Sequence, residues 1–309
     1  MSFAFVFPGQ GSQSVGMMNG FASLPNVKQT FDEASDVLKL DLWQLAQEGP
    51  AELQNQTVNT QPLMLTADIA IYRAWKNLGG ADPAFVAGHS LGEYSALVAA
   101  GALSLRDALP LVVQRAEAMQ YAVPDGEGAM AALVGLEDDD VRTVCNEAAQ
   151  GEVLEAVNLN CPGQVVIAGN KAAVERGIET AKAKGAKIAK ILAVSVPSHC
   201  ALMKPAAEKL SVLLKSINIS PPVIPVLHNA DVKSYASPNA IRDALVRQLY
   251  SPVRWADIIR AMAQNKVTQI AECGPGKVLA GMNKRIDSKL QSFALISTVA
   301  LDTAKAELM

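Results

Sequence analysis

The stretch VAGHSLGEY, residues 86–94, decides how this chain is read. Ser90 stands in Gly88-His89-Ser90-Leu91-Gly92, between a short apolar run, PAFVA (83–87), and an alanine-rich helical pattern, YSALVAAGAL (94–103). A serine between glycines at a strand-to-helix junction fits the G-x-S-x-G nucleophile elbow. The glycines let the backbone turn sharply, and the helix start aims backbone N–H groups, that of Leu91 among them, at an oxyanion formed there. The five-residue pattern alone is common by chance and also fits an ordinary turn. Its strand-turn-helix context favours the nucleophile.

A serine hydroxyl needs a base, and histidine is the usual one. The chain has 3 histidines: His89, His199 and His228. His89 adjoins Ser90, and neighbours around so tight a turn point in different directions, so it ranks third. His199, in VSVPSHC, follows an apolar strand and Pro197 and lies at a strand end, where α/β proteins gather their sites. It ranks first. His228, in LHNADV at the end of another strand, ranks second and stays open on geometry alone. Each of the three could instead be a polar side chain satisfied by local hydrogen bonds.

PGQGSQ (8–13) follows the first apolar run but has neither G-x-G-x-x-G nor a Lys-Ser/Thr ending, so it does not read as a phosphate loop. Its better use is as a second loop at the same sheet edge, presenting a backbone N–H near Ser90. Arg115 stands in LPLVVQRAEAMQ (109–120), an otherwise apolar helix. It reads either as a solvated or ion-paired surface residue or as a bidentate clamp for a carboxylate.

The pattern around these residues is α/β. FAFVF (3–7) is a continuous apolar run of the kind buried on both faces of a parallel sheet. Helical patterns follow at 26–39, at 60–78, with Asn59 or Thr60 as cap, and at 104–122. Then the pattern changes. Strands at 128–135, 153–160, 164–169 and 187–194, with helices at 138–149 and 171–185, spell β-α-β-β-α-β, the signature of a ferredoxin-like unit. Further elements are a helix (200–216), a strand (223–229), helices near 238–249 and 252–264, a strand (268–274), a helix (276–286) and a closing apolar run, FALIS (293–297). The expected architecture is a large α/β domain of residues 1–124 and 196–309, with a ferredoxin-like small domain inserted at 125–195.

Composition narrows the function classes. Half of the 309 residues are hydrophobic, 18% are charged and the net charge is −3. That describes a compact globular chain without a nucleic-acid footprint. The opening SFAFVFPG lacks the basic region and apolar length of a signal peptide, and no run of apolar residues is long enough to span a membrane. The four cysteines (Cys145, Cys161, Cys200, Cys273) form no CxxC pair and no metal-like spacing. They are expected as reduced, mostly buried thiols of a cytoplasmic protein, with Cys200 notable only for adjoining His199.

Taken together, FVFPGQGSQ (5–13), AGHSLGEYSAL (87–97), GAMAALVGL (128–136), NLNCPGQVVIAG (158–169), SVPSHCALM (195–203), QLYSPVRW (248–255) and GPGKVLAGMNKRI (274–286) resemble the malonyl-CoA:acyl carrier protein transacylases over nearly the whole chain. The resemblance implies an α/β-hydrolase-like core with a parallel sheet and a ferredoxin-like insertion. It implies Ser90 as the acyl-carrying nucleophile, His199 as its base, and a backbone carbonyl at Gln248 orienting the imidazole where a hydrolase would use Asp. Backbone N–H groups of Gln10 and Leu91 would form the oxyanion hole. Arg115 would pair with the malonyl carboxylate, and Asn158 and Gln164 would line the pocket. No metal or redox cofactor is implied; the partners are malonyl-CoA and acyl carrier protein. An acidic carrier would need a local basic surface: Lys277, Lys284, Arg285 and Lys289, or Lys187 and Lys190. Two positions depart from the family. The helix reads QRAEAM where the family often has Gly after the Arg. Val-Pro-Ser-His (196–199) matches neither tetrapeptide that marks malonyl or methylmalonyl choice in modular polyketide enzymes. The rival readings are a serine esterase or thioesterase, a transacylase of polyketide or other secondary metabolism, and a non-catalytic docking protein of the same shape.

Overall fold

A computed structural model describes residues 2–194 and 196–309. In chain order the strands are β1 (Ser2–Phe7), β2 (Phe85–Gly88), β3 (Gly128–Val134), β4 (Leu154–Cys161), β5 (Gln164–Asn170), β6 (Ile188–Ile191), β7 (Val226–Leu227), β8 (Val267–Glu272) and β9 (Gln291–Ala294). They form two sheets. One is parallel, in the order β7-β2-β1-β8-β9, and the other is antiparallel, in the order β4-β5-β3-β6.

β1 shows why its sequence is apolar without interruption. Alternate residues of a strand face opposite sides, and here both sides are covered. Phe3, Phe5 and Phe7 enter one core cluster, where Phe5 meets Tyr72 and Trp75 of helix Thr57–Asn77 edge-on. Ala4 and Val6 enter another with Trp255, Ile258 and Met262 of helix Trp255–Gln264. Truncating Phe5 to Ala would therefore cost about 3–5 kcal/mol.

The same register builds the site's edge. Phe7 of β1 pairs with Gly88 of β2, so the Pro8–Gln10 loop and the Ser90 turn leave the sheet side by side. A Cβ on Gly9 would lie 2.4 Å from the His89 carbonyl oxygen, and one on Gly92 would lie 2.1 Å from that of Phe7. Only glycine permits this contact.

The antiparallel sheet carries helices Asp138–Ala149 and Lys171–Ala183 against one face. Met130, Val157, Val166 and Ala168 on the other face pack with Cys200. β4 is stitched to the rest of the chain at Val253, whose N–H donates to the Val157 carbonyl at 2.8 Å and whose carbonyl accepts from Leu159 N–H at 3.0 Å.

Four local expectations differ from the structure. The strand at 223–229 is only Val226–Leu227, and on its N-terminal side Pro225 lacks the N–H a ladder needs. Helix 60–78 begins at Thr57, and the Thr60 hydroxyl bonds the carbonyls of Gln54 and Gln56 instead of capping. Helix 200–216 splits into a 3₁₀ turn, Ala201–Met203, and an α-helix, Lys204–Leu214, that opens beside Pro205. FALIS does not close the chain: after β9, Ser297 accepts from Ala300 N–H and caps a helix, Thr298–Leu308. Among the described residues, no helix is long and apolar enough to cross a membrane.

Candidate active site

β2 ends at Gly88, and Ser90 follows with φ 53°. That left-handed backbone is uncommon outside glycine and holds the side chain out of the turn. The strain is held by hydrogen bonds on both sides. The buried Asn229 side chain donates to the Gly88 carbonyl at 2.7 Å and accepts from Ser90 N–H at 2.8 Å. The Ser90 carbonyl accepts from Gln248 Nε2 at 2.9 Å. Asn229 is itself fixed by Glu93 in the first turn of helix Gly92–Ala99, whose carboxylate accepts from Asn229 N–H at 2.9 Å and pairs with His228 Nδ1 at 2.7 Å.

His199 comes from the loop before the Ala201–Met203 turn, and its φ of 67° is also left-handed. Its Nδ1 lies 2.8 Å from the Gln248 carbonyl and its Nε2 lies 2.7 Å from Ser90 Oγ. A carbonyl can only accept, so Nδ1 carries the proton and Nε2 faces the serine as acceptor. Burial first, and then the charge of Arg115, push the imidazole down to about 3. It is thus neutral at physiological pH and can take the Ser90 proton.

Arg115, 1% exposed, lies on helix Leu105–Gln120. Its guanidinium donates to Gln61 Oε1 at 2.8 Å, to Gln248 Oε1 at 3.0 Å and to Ser90 Oγ at 3.4 Å, and it sits 5.3 Å from the Tyr94 ring centroid. Its Nε has no hydrogen-bond partner and no carboxylate pairs with it among the described residues. Such a cation, buried on neutral acceptors in a pocket wall, is built to receive an anion. The surface reading of Arg115 is excluded.

Ser90, His199, Arg115, Gln10, Leu91 and Asn158 all line one cavity of about 120 Å³. Among the described residues, neither the Gln10 nor the Leu91 N–H donates to a protein acceptor, so both are free to meet an oxygen. The Asn158 Oδ1 is likewise buried without a partner. Gln164 is a correction: it does not line this cavity. It pairs with Cys161 at the hairpin turn, while Val166 sits opposite Asn158. Its Oε1 accepts from Arg285 at 2.7 Å. Arg285 also donates to the Pro162 carbonyl yet stays exposed, as do Lys277, Lys284, Lys289, Lys187 and Lys190, the other cations of the two basic sets.

The other two histidines have different partners. His89 lies in the cavity wall, but its Nε2 bonds Asn160 Oδ1 at 2.9 Å and its ring leans on Trp255. His228 is committed to Glu93. Cys200 is buried, its thiol donates to the Pro197 carbonyl, and burial pushes it up to about 12. Among the described residues, no group of His, Cys, Asp or Glu is arranged to hold a metal ion. The sequence reading did not single out Asn229, Gln61, Glu93 or the Gln248 side chain. Only Glu93 carried a signal, an acid in the first turn after the elbow.

The acyl transferase domain family matches residues 4–305. The malonyl CoA-acyl carrier protein transacylase of Escherichia coli is 56% identical over 303 residues, 98% of each chain. The crystal structure of an acyl-carrier-protein S-malonyltransferase from Burkholderia pseudomallei superposes with a TM-score of 0.98 at 56% identity, covering 99% of this chain and 100% of that one. A malonyl-transacylase solved in complex with its type II PKS acyl-carrier protein matches with a TM-score of 0.98 at 53% identity, over 99% of this chain and 100% of its own. This chain belongs to the malonyl CoA-acyl carrier protein transacylase family.

Proposed function

We propose that the protein transfers the malonyl group of malonyl-CoA to the phosphopantetheine thiol of acyl carrier protein, through an ester on Ser90, and so supplies fatty acid synthesis. The observation that carries this reading is the conjunction of a serine–histidine pair at 2.7 Å with a buried guanidinium 3.4 Å from the same hydroxyl. In the first half-reaction His199 takes the proton of Ser90 as Oγ attacks the thioester carbonyl. The oxyanion is held by the N–H groups of Gln10 and Leu91, and the C–S bond breaks as His199 returns the proton to the leaving sulfur. In the second half, the carrier's thiol attacks the ester by the same route. The Gln248 carbonyl orients the imidazole, and Asn158 lines the acyl pocket.

Arg115 supports the choice of acyl group. Acetyl and fatty acyl thioesters would leave its guanidinium unpaired, and a hydrogen bond to a charged group contributes roughly 1.5–3 kcal/mol. That discriminates by about tenfold to more than a hundredfold. The transfer needs no metal or redox cofactor. A cytoplasmic location belongs to this reading, supported by four free, buried cysteines. So does a division of the chain into a catalytic domain of 1–124 and 196–309 and a small domain of 125–195, supported by the separate cores of the two sheets. The exposed lysines of the two basic sets provide charge for an acidic carrier.

The test is intact mass after mixing with malonyl-CoA, then with holo carrier protein or with buffer. The expected result is a malonyl adduct on Ser90 that persists in buffer and moves to the carrier. Rapid loss to water would make the protein a hydrolase, and no adduct from a folded sample would refute the nucleophile.

A further inference from the structure

Arg115 and His199 face each other across one hydroxyl. Arg115 donates to Ser90 Oγ at 3.4 Å, and the same oxygen lies 2.7 Å from His199 Nε2. The other acceptors of the guanidinium, Gln61 and Gln248, are neutral amides. The acid nearest in sequence to the elbow, Glu93, commits both oxygens to His228 and Asn229. Among the described residues the guanidinium therefore touches only neutral dipoles and the Tyr94 ring, with the Glu93 carboxylate acting on it through space. When Ser90 attacks, its proton turns His199 into a second buried cation.

Resting on the function proposed above, we propose that the substrate's own carboxylate switches on the base: by pairing with Arg115 it cancels the charge facing His199 and draws the guanidinium off Ser90 Oγ. Two unit charges about 6 Å apart at an effective dielectric of about 20 shift a protonation equilibrium roughly a hundredfold. A carboxylate on Arg115 removes most of that penalty. It also releases the Oγ lone pair held by the Arg115 N–H. The groups that face His199 are few. Arg115 comes from helix Leu105–Gln120, His89 from the end of β2, and Tyr94 and Glu93 stand behind the guanidinium on helix Gly92–Ala99. Burial pushes the His89 imidazole down, and its effect on His199 ranks below that of Arg115. Arg115 is thus the dominant charge on the imidazole, in accord with its place directly after burial among the causes that lower His199.

Selection for a carboxylated acyl group then acts on the chemical step as well as on binding. A neutral acyl group that enters the pocket meets a weak base and an engaged hydroxyl, so its limiting acylation rate is low even at saturation.

The experiment compares malonyl-CoA with its neutral isostere, the thioester whose terminal carboxylate is a primary carboxamide. Single-turnover acylation of the wild-type protein is followed by intact mass across pH, and occupancy by the amide is read from its competition with malonyl-CoA. The expected result is that the amide competes but acylates Ser90 with a limiting rate about tenfold lower, for a proton roughly half transferred in the transition state. Its rate stays level to lower pH than that of malonyl-CoA, whose profile bends nearer the ordinary imidazole value. In Arg115→Ala the two limiting rates converge. Equal limiting rates in the wild type, a shared bend in pH, or an amide that fails to compete would overturn the proposal by placing selection in binding alone. The wild-type comparison decides this even if Arg115→Ala fails to fold. Absence of any adduct from malonyl-CoA is a separate outcome that removes the underlying function.

Discussion

Asn229→Ala should both destabilise the protein and slow acylation of Ser90. The side chain is wholly buried and spans the elbow, with its nitrogen 2.7 Å from the Gly88 carbonyl and its oxygen 2.8 Å from Ser90 N. Removing it strands one buried carbonyl and one buried N–H. Each stranded group costs about 1–3 kcal/mol, so the pair costs about 2–6 kcal/mol, a large part of a typical stability of about 5–15 kcal/mol. The left-handed Ser90 backbone adds its own strain of about 1–2 kcal/mol, which the intact clamp holds in place and the truncated one releases. A relaxed Ser90 would swing Oγ away from the 2.7 Å contact with His199. Misplacement by about 1 Å costs on the order of a hundredfold in rate. Urea unfolding at unchanged slope measures the first effect, and single-turnover acylation with malonyl-CoA measures the second. The expected outcome is a loss of about 3 kcal/mol together with at least tenfold slower acylation. A loss below about 1 kcal/mol with a rate within about twofold would refute the clamp and leave the glycine packing and the Gln248 hydrogen bond as sufficient.

Two further outcomes follow from other buried charges. Arg115→Ala should lower malonyl transfer by about tenfold to a hundredfold and raise acetyl transfer, measured with both thioesters on holo carrier protein; unchanged malonyl transfer refutes the carboxylate clamp. Burial pushes the Glu272 carboxyl up to about 7 from 4.5, against the N–H groups of Val278, Leu279 and Ala280. Its native pKa is raised, so its contribution to stability is full below the unfolded value and is lost as pH rises through about 7, by at most about 3 kcal/mol. Glu272→Gln should flatten that loss in urea titrations between about pH 5 and 8, the slope that remains belonging in part to buried Asp68. An unchanged slope refutes the assignment.

The sequence makes the elbow, His199 and the β1 core legible because each requires a residue type at a fixed local spacing. A serine must sit between glycines where Gly92 touches the Phe7 carbonyl, and a strand covered on both faces must be apolar at every position. β-α-β-β-α-β is legible for the same reason, since its strands and helices differ in period. The amide scaffold around the charges is not. Gln61, Asn229 and the Gln248 side chain meet their partners 54, 139 and 133 positions away along the chain, and another neutral acceptor of suitable length could do the work. No local pattern is therefore imposed on them. His228 drew attention as a titratable group, yet it is the neighbouring Asn229 that touches the elbow, because alternate residues leaving β7 face opposite ways. Gln164 shares a face with Val166, two residues on, but its place at the hairpin turn carries it to the rim, and Val166 takes the place opposite Asn158. What binds the scaffold together is Gln248. Its carbonyl orients His199, its amide nitrogen holds the Ser90 carbonyl, and its amide oxygen receives Arg115. One residue thus fixes the base, the nucleophile and the acyl-binding cation relative to one another. That shared support allows a carboxylate arriving at Arg115 to be felt at His199 without any movement of the sheet.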